Sequence, residues 1–329
     1  MDGVSIAYCT HGEGKAVVFM PTIPFRHVGL LWTISPGDRR QAHLLASAGR
    51  RWVMFDPRGM GSSGPVDSFS LHGFVTDLEA VADELGLDEF ALMATTYSNP
   101  IAVEYAVKHP DRISHLILTY PFLRSAEALR TPVLKSINAL RGHDWSVYTE
   151  ASVHLIYGYA RAEMSQILSR VLKEGITPER AWQVFELIDH FDMTEQARRL
   201  KVRTLVIGER NRSVAVEHSR AVAAVIPSAQ FVLPETNDES LLAAARFLGL
   251  LPVNAPAPPA AATTSAVSLT PREIEVLALL VAGQSNREIA EALVLSERTV
   301  ARHIANIYAK TGAHGRAEIT AYALRHRLA

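Results

Sequence analysis

The chain has 329 residues, 48% of them hydrophobic and 20% charged, and a formal net charge of −1. That length supports two domains, each with its own core. The near-neutral balance excludes attraction to nucleic acid or membrane by overall charge, so any basic footprint has to be local.

A lone Cys9 leaves no intrachain disulfide or thiolate metal cluster to form. The opening residues, MDGVSIAYC, contain no basic stretch followed by an apolar core, and no run of about 18 apolar residues occurs in the chain. The expectation is a soluble, cytoplasmic protein without a membrane segment or a cofactor. In chain order, Val4 to Tyr8 and Ala16 to Met20 read as strands, followed by a proline-containing loop, 21–27. Arg51 to Asp56 predicts a strand buried on both faces, because Trp52, Val53, Met54 and Phe55 are consecutive and apolar. It runs into Asp56-Pro57-Arg58-Gly59-Met60-Gly61, whose glycines suit a tight turn. Asp56 and Arg58 there read as turn structure.

Leu71, Phe74, Leu78, Val81 and Leu85 mark an amphipathic helix closed by Gly86. Phe90 to Met93 and Ile113 to Thr119 are strand-like on either side of a helix, Ile101 to Lys108. Strands resume at Val202 to Ile207 and Gln230 to Leu233, with helices at Val216 to Val225 and Glu239 to Leu248. This alternation predicts a mostly parallel sheet covered by helices. From about 121 to 199 the pattern is helical and rich in aromatics, which predicts a lid on the carboxyl edge of the sheet, where open α/β sheets bind ligands.

Taken together, DPRGMGSSG after a strand, then ALMATTYSNPIAVEYAVKHPDRI, then LKVRTLVIGERN resemble the α/β-hydrolase fold over roughly residues 1 to 250. Hydrolases of this fold carry a serine in G-x-S-x-G on a strained turn. The resemblance puts Thr96 in the nucleophile's place within Ala94-Thr95-Thr96-Tyr97-Ser98, with neither glycine, and a β-branched residue tolerates that backbone poorly. It puts Asn211 at the acid's position; loss of that negative charge in a serine protease costs about 10⁴ in turnover. It puts Asp238 at the base's position and Pro21-Thr22 in the oxyanion loop. With all three triad positions changed, no catalytic residue is expected. The remaining cavity is expected to be lined by Thr22, Ile23, Thr96, Tyr97, Asn211 and Asp238, with Trp145, Tyr148 or Tyr157 from the lid. Such a lining suits a small effector with an aromatic or acyl body and a polar end. The lid aromatics fit a core role as well. His27 is a further pocket candidate, Ser62, Ser63 and Ser98 have no visible base, and His11, His43 and His72 show no convergent partners, so no metal site is predicted.

Residues 252–268, PVNAPAPPAAATTSAVS, carry no charge and read as a semi-extended linker after a first domain of residues 1–251. The last domain, 269–329, tilts positive, with eight Lys or Arg against six Glu. Thr270-Pro271-Arg272-Glu273 and Ser285-Asn286-Arg287-Glu288 read as capping boxes opening two helices. Ser296 caps a third, ending at Gly312. On this third helix Val300, Ile304 and Ile307 fall on one side, while Arg298, Arg302, Ala305 and Ala309 fall opposite, a face able to lie in a DNA groove. A fourth helix over 316–327 is a candidate dimer contact.

LTPREIEVLALLVAGQSNREIAEALVLSERTVARHIANIYAKTG resembles the LuxR-type DNA-binding domain at nearly every motif position. One departure is Ala301, where that family often has Lys or Arg. The resemblance implies double-stranded DNA as partner, Arg298, Thr299, Arg302, His303, Asn306 and Lys310 as DNA-contacting residues, and a homodimer, since one such helix reads a half-site. Arg302 is assigned to the groove, and Lys310 and Thr299 to phosphate; His303, towards the buried side of the wheel, fits a structural role equally. More narrowly, the whole chain resembles hydrolase-like sensory domains fused to LuxR-type outputs. The expected function is a ligand-responsive transcriptional regulator and not an enzyme. Two alternatives stay open: a hydrolase using Thr96 with Asp238 as base, and a regulator whose first domain serves only dimerisation or protein docking.

Overall fold

The computed structural model describes residues 3–20, 22–24, 27–30, 36–129, 131–141, 144–157, 162–208, 215–251, 271–281, 284–293, 295–311 and 319. The chain forms two compact units, Met1–Ala255 and Pro256–Ala329. The predicted linker lies outside the described residues.

In the first unit seven strands form one sheet: β1 (Tyr8–His11), β2 (Lys15–Met20), β3 (Arg50–Phe55), β4 (Phe90–Thr95), β5 (Ile113–Thr119), β6 (Thr204–Ile207) and β7 (Gln230–Val232). Their spatial order is β1-β3-β2-β4-β5-β6-β7, with β1 antiparallel to β3 and every other pair parallel. Alternation within each strand fills two cores. In β2, Ala16, Val18 and Met20 enter one apolar cluster and Val17 and Phe19 the other. In β3, Val53 and Phe55 face the first, Trp52 and Met54 the second. The helices that cover these faces are α1 (Pro36–Ser47), α2 (Leu71–Glu84), α3 (Asn99–Lys108), α10 (Val216–Val225) and α11 (Asn237–Phe247). Between β5 and β6 lies the lid: α4 (Ser125–Ala128), α5 (Pro132–Asn138), α6 (Trp145–Tyr157), α7 (Ala162–Gly175), α8 (Pro178–Asp189) and α9 (Thr194–Arg199).

Two expectations are corrected. The first strand starts at Tyr8 and not at Val4, because the backbone before it serves the turn after β3. Ala7 accepts from the Asp56 N–H at 2.9 Å and Ser5 from the Gly64 N–H at 2.7 Å. Helix α1 was absent from the predicted elements; its sequence, PGDRRQAHLLAS, opens with polar residues that blur the apolar stripe.

The DPRGMGSSG turn is built around two carboxylates. Asp56 is fully buried and accepts from the N–H groups of Val28 at 2.7 Å and Ser62 at 2.9 Å. Gly61 stands against it at φ +53, where a side chain would collide with the Asp56 carboxylate. Arg58 donates to Asp77 of α2 at 2.8 Å through both its backbone N–H and its Nε, and both side chains are buried. The neck of the lid is closed in a similar manner: Ser125 donates to the Phe191 carbonyl, Met193 to the Leu123 carbonyl, and Arg124 pairs with Asp192 at 3.1 Å.

In the second unit α12 (Pro271–Val281), α13 (Asn286–Leu293) and α14 (Glu297–Thr311) surround Val276, Leu277, Leu280, Ile289, Val300, Ile304 and Ile307, joined by Ile319. The predicted fourth helix lies outside the described residues, Ile319 excepted. Among the described residues no helix is long and apolar enough to cross a membrane.

Asp77 accepts from both the backbone N–H and the Nε of Arg58, so its removal takes two buried charge-assisted bonds from the turn at once. Asp77→Ala is therefore expected to lower the stability of the first unit by about 3 kcal/mol, read as a fall in its urea midpoint. An unchanged midpoint would contradict the burial of that pair.

Candidate functional site

Strand β4 passes through a single 3₁₀ turn, Thr96–Ser98, into α3, and Thr96 sits at φ +48 in the left-handed region. A β-branched residue there costs of order 1–3 kcal/mol, so the surroundings must impose it. They do so through Asn99, fully buried, whose Nδ2 donates to the carbonyls of Thr96 at 2.9 Å and Thr119 at 3.0 Å. Thr119 in turn donates its hydroxyl to the Ala94 carbonyl at 3.0 Å. The ends of β4 and β5 and the start of α3 are thus tied into one corner, with the strained threonine at its apex.

The Thr96 hydroxyl has the Thr95 hydroxyl beside it at 3.4 Å, and among the described residues no imidazole or carboxylate is hydrogen-bonded to it. The N–H of Tyr97 points at the Thr22 hydroxyl, 3.4 Å away. Thr22 and Tyr97 are therefore brought together beside Thr96. Ile23 is fully buried in the main core, and His27 accepts from the Leu30 N–H at 3.4 Å, a local turn contact.

Asp238 stands apart from that grouping. It lies in the first turn of α11 behind the cap Thr236, half exposed, with its carboxylate on Arg40 at 2.8 Å. The alignment that made it a base candidate fixed its place after β7 but not its direction. Asn211 lies outside the described residues, and so does the Tyr157 side chain.

The lid aromatics Trp145 and Tyr148 stack on each other at 5.9 Å between ring centres. Both meet Trp182 edge-on, at 5.0 and 4.8 Å, and Tyr148 also packs against Phe185. Arg141 covers Phe185 at 4.9 Å and bonds Asp189 at 2.5 Å. Burial pushes the phenols of Tyr97 and Tyr148 above their usual range, against the pull of the Arg141 guanidinium, so both remain neutral donors. Within the lid two donors, Arg141 Nε and Trp145 Nε1, are buried without a hydrogen-bond partner among the described residues. Trp182, Phe185 and Arg141 belong to this cluster and were not singled out in the sequence. Trp182 and Phe185 lie three residues apart on α8, but which element they would meet had no sequence signal.

His11 and His43, read from the sequence as lacking convergent partners, in fact meet at 3.0 Å on the β1–α1 surface. Among the described residues no group of three His, Cys, Asp or Glu gathers as metal ligands.

In the second unit the caps explain the helix boundaries. Ser285 and Glu288 exchange backbone bonds at 2.6 and 3.3 Å, and Ser296 accepts from the Thr299 N–H at 3.1 Å. The outward face of α14 exposes Arg298, Arg302, Ala305 and Asn306, while Val300, Ile304 and Ile307 are buried and His303 is half-buried between them. Neither Arg298 nor Arg302 is in an ion pair among the described residues. Two of the predicted contact residues also bond within the second unit. Lys310, expected on phosphate, bonds Glu273 of α12 at 2.6 Å, and Glu273 is 3% exposed, so this pair joins first helix to third. The cap residue predicted for the first helix, Thr270, lies outside the described residues. The Thr299 hydroxyl, also expected on phosphate, lies 2.8 Å from the Ser296 hydroxyl, within the cap.

Comparison with known proteins assigns each unit. Residues 267–323 match bacterial regulatory proteins of the luxR family, and residues 16–145 match the alpha/beta hydrolase fold. Fimbriae Z protein of Salmonella typhimurium is 48% identical over 60 residues, covering 18% of this chain and 29% of that protein. Transcriptional regulatory protein LiaR of Bacillus subtilis is 43% identical over 61 residues, with the same coverage. Epoxide hydrolase 2 of Siraitia grosvenorii is 28% identical over 144 residues, 43% of this chain and 42% of that one. The chain thus spans under a third of the regulators and under half of the hydrolase. Among solved structures, bromoperoxidase from Bacillus anthracis superposes with a TM-score of 0.66 at 18% identity, over 75% of this chain and 96% of that one. The enol-lactonase from Burkholderia xenovorans LB400 gives 0.63 at 19%, over 75% and 98%. At such identities the likeness is one of fold. A LuxR-family helix-turn-helix domain at the C-terminal end follows a domain of α/β-hydrolase fold.

Thr96→Gly should relieve the apex and stabilise the first unit by up to about 1 kcal/mol, seen as a raised urea midpoint; a fall would mean that the left-handed backbone is not strained. Lys310→Met is expected to destabilise the second unit by about 1–2 kcal/mol, with Arg302→Ala within about 0.5 kcal/mol of wild type. Equal losses would contradict the division between a structural lysine and a free arginine.

Proposed function

We propose that a chain joining a hydrolase-fold domain to a LuxR-family reading head is a transcriptional regulator whose first domain binds a small effector without turning it over. The elbow carries this reading: Thr96 keeps the nucleophile's strained place, yet no base reaches its hydroxyl among the described residues, and the Tyr97 N–H is already directed at Thr22. In enzymes of this fold a base must lie within about 3.2 Å of the proton it takes, and the N–H after the nucleophile serves the oxyanion. Asp238, the carboxylate that the resemblance puts at the base's position, is engaged by Arg40.

Binding draws on what remains under the lid. The unpartnered Arg141 Nε and Trp145 Nε1 are buried donors, and such groups generally have an acceptor in the native state. Together with the neutral Tyr97 and Tyr148 phenols they suit a small aromatic or acyl compound with a carbonyl or carboxylate end. Arg302, Arg298 and Asn306 on the exposed face of α14 are the groups proposed to meet double-stranded DNA, with Arg302 directed at a base edge. A homodimer presents two such helices to two half-sites. The effector acts only by preferring one arrangement of the heads; equal affinity for both would shift nothing.

The interlocked Trp145, Tyr148, Trp182 and Phe185 favour a second reading, in which the lid is a packed core and the first domain serves docking alone. A thermal-shift screen with small aromatic acids, amides and acyl compounds separates the two. On the sensor reading a compound raises the melting temperature, changes promoter affinity at fixed salt by about tenfold, a coupling of about 1.4 kcal/mol, and loses its effect in Trp145→Phe. On the same promoter Arg302→Ala should weaken specific binding by about 1–3 kcal/mol. Absence of any stabilising compound, with promoter affinity indifferent to all of them, would leave the docking reading in its place.

A further inference from the structure

One cleft of the first unit lies away from the elbow. It lies at the opposite, amino edge of the sheet, encloses about 710 Å³, and opens between the end of α3, the segment after α9, and the starts of β6 and β7. Its rim carries Arg198, Arg199, Lys201 and Arg203, all exposed, and no carboxylate lines it. Among the described residues Arg198 alone of these has an acid partner, Glu195. Arg203 lies over the Phe247 ring at 5.6 Å. Behind them the lining includes the apolar Val107, Leu200, Val202 and Phe247 beside the polar Thr204 and Gln230. At its mouth Ser228 is held at φ +59, a strained backbone of the kind that clusters at binding sites.

Sequence explains the arrangement. In RRLKVR, Leu200 and Val202 alternate into the core while Lys201 and Arg203 alternate out, so a strand-like entry into β6 places cations side by side next to apolar side chains. Like charges so placed repel one another, and an anion between them removes that cost. Guanidinium groups bind phosphate or carboxylate through paired N–H donors, and the apolar part of the lining takes the rest of the molecule. The volume falls within the range of small-molecule sites, roughly 300–1,000 Å³. A duplex backbone presents a convex row of phosphates, which suits a flat basic surface better than a partly apolar cleft.

We propose that this cleft is a second ligand site, distinct from the elbow, for a small organic dianion: a phosphate monoester with a flat apolar body. Arg199 and Lys201 hold the phosphate, and Arg203 with Phe247 borders the apolar part. The site is independent of whether the elbow domain senses an effector.

Calorimetric titration of the full chain with phenyl phosphate at pH 8, where the ester is a dianion, tests it. The expected result is a single site at least tenfold tighter than inorganic phosphate, with phenol not binding. The double variant Arg199→Ala/Lys201→Ala should weaken it at least tenfold, Glu195→Gln, which frees Arg198, should tighten it, and Tyr97→Phe should leave it unchanged. Phenyl phosphate binding no tighter than inorganic phosphate, or insensitive to the double variant, would overturn the proposal. Sensitivity to Tyr97→Phe would move the ligand to the elbow and also overturn it. A third contrary result would be displacement by non-specific duplex DNA, with the salt slope of DNA binding reduced by about 2 in the double variant, which would assign the cleft to nucleic acid.

Discussion

At the end of β4 a threonine is held at φ +48 by one buried amide, Asn99, which reaches the carbonyls of both Thr96 and Thr119. That single side chain ties the turn at the start of α3 to the end of β5. A β-branched residue does not adopt this backbone by preference. Its retention means that the corner's shape is fixed by the hydrogen-bonded ends of β4 and β5 and not by the residue at its apex. The elbow is therefore a property of the sheet, and the chemistry that enzymes of this fold add to it is separable.

The same separation of scaffold from site runs through the second unit. Glu273 and Lys310 lock the first and third helices of the reading head, and the Ser296–Thr299 pair sets where the third begins. Arg298 and Arg302 are then left exposed on a helix that is held from behind. A recognition helix needs this division, since a side chain that maintains the helix's pose is a poor candidate for exchange with a phosphate. Rigid support behind and free guanidinium groups in front favour bases being read without rearrangement.

Much of this was legible in the sequence because it rests on periodicity. The alternation in KAVVFM and RRWVMF gives the two-faced sheet, and the three-to-four spacing of Val300, Ile304 and Ile307 gives the buried side of α14. What escaped was decided by partners distant in sequence. Ser5 and Ala7 read as strand but serve the turn near Gly64; Lys310 reads as a surface cation but meets Glu273, 37 residues away. Asp238 could be placed after β7, yet its pairing with Arg40 depends on α1, whose polar opening hid it. The lid aromatics were visible as a composition, whereas their packing on Trp182 and Phe185 needed the fold of 125–199. The basic cleft was missed for a related reason: RRLKVR reads as an ordinary strand approach until Phe247 and Ser228 close around it.

The two edges of one sheet thus offer different chemistry, a strained neutral corner under an aromatic lid at one and a cationic cleft at the other. The central claim is that the corner binds without reacting. Intact-protein mass spectrometry after incubation with activated acyl esters tests it most directly, because a nucleophile in use leaves an acyl adduct on the elbow. The account predicts the unmodified mass, with no adduct mapped to Thr96. An acyl group on the Thr96 hydroxyl, formed and then released as product appears, would contradict it.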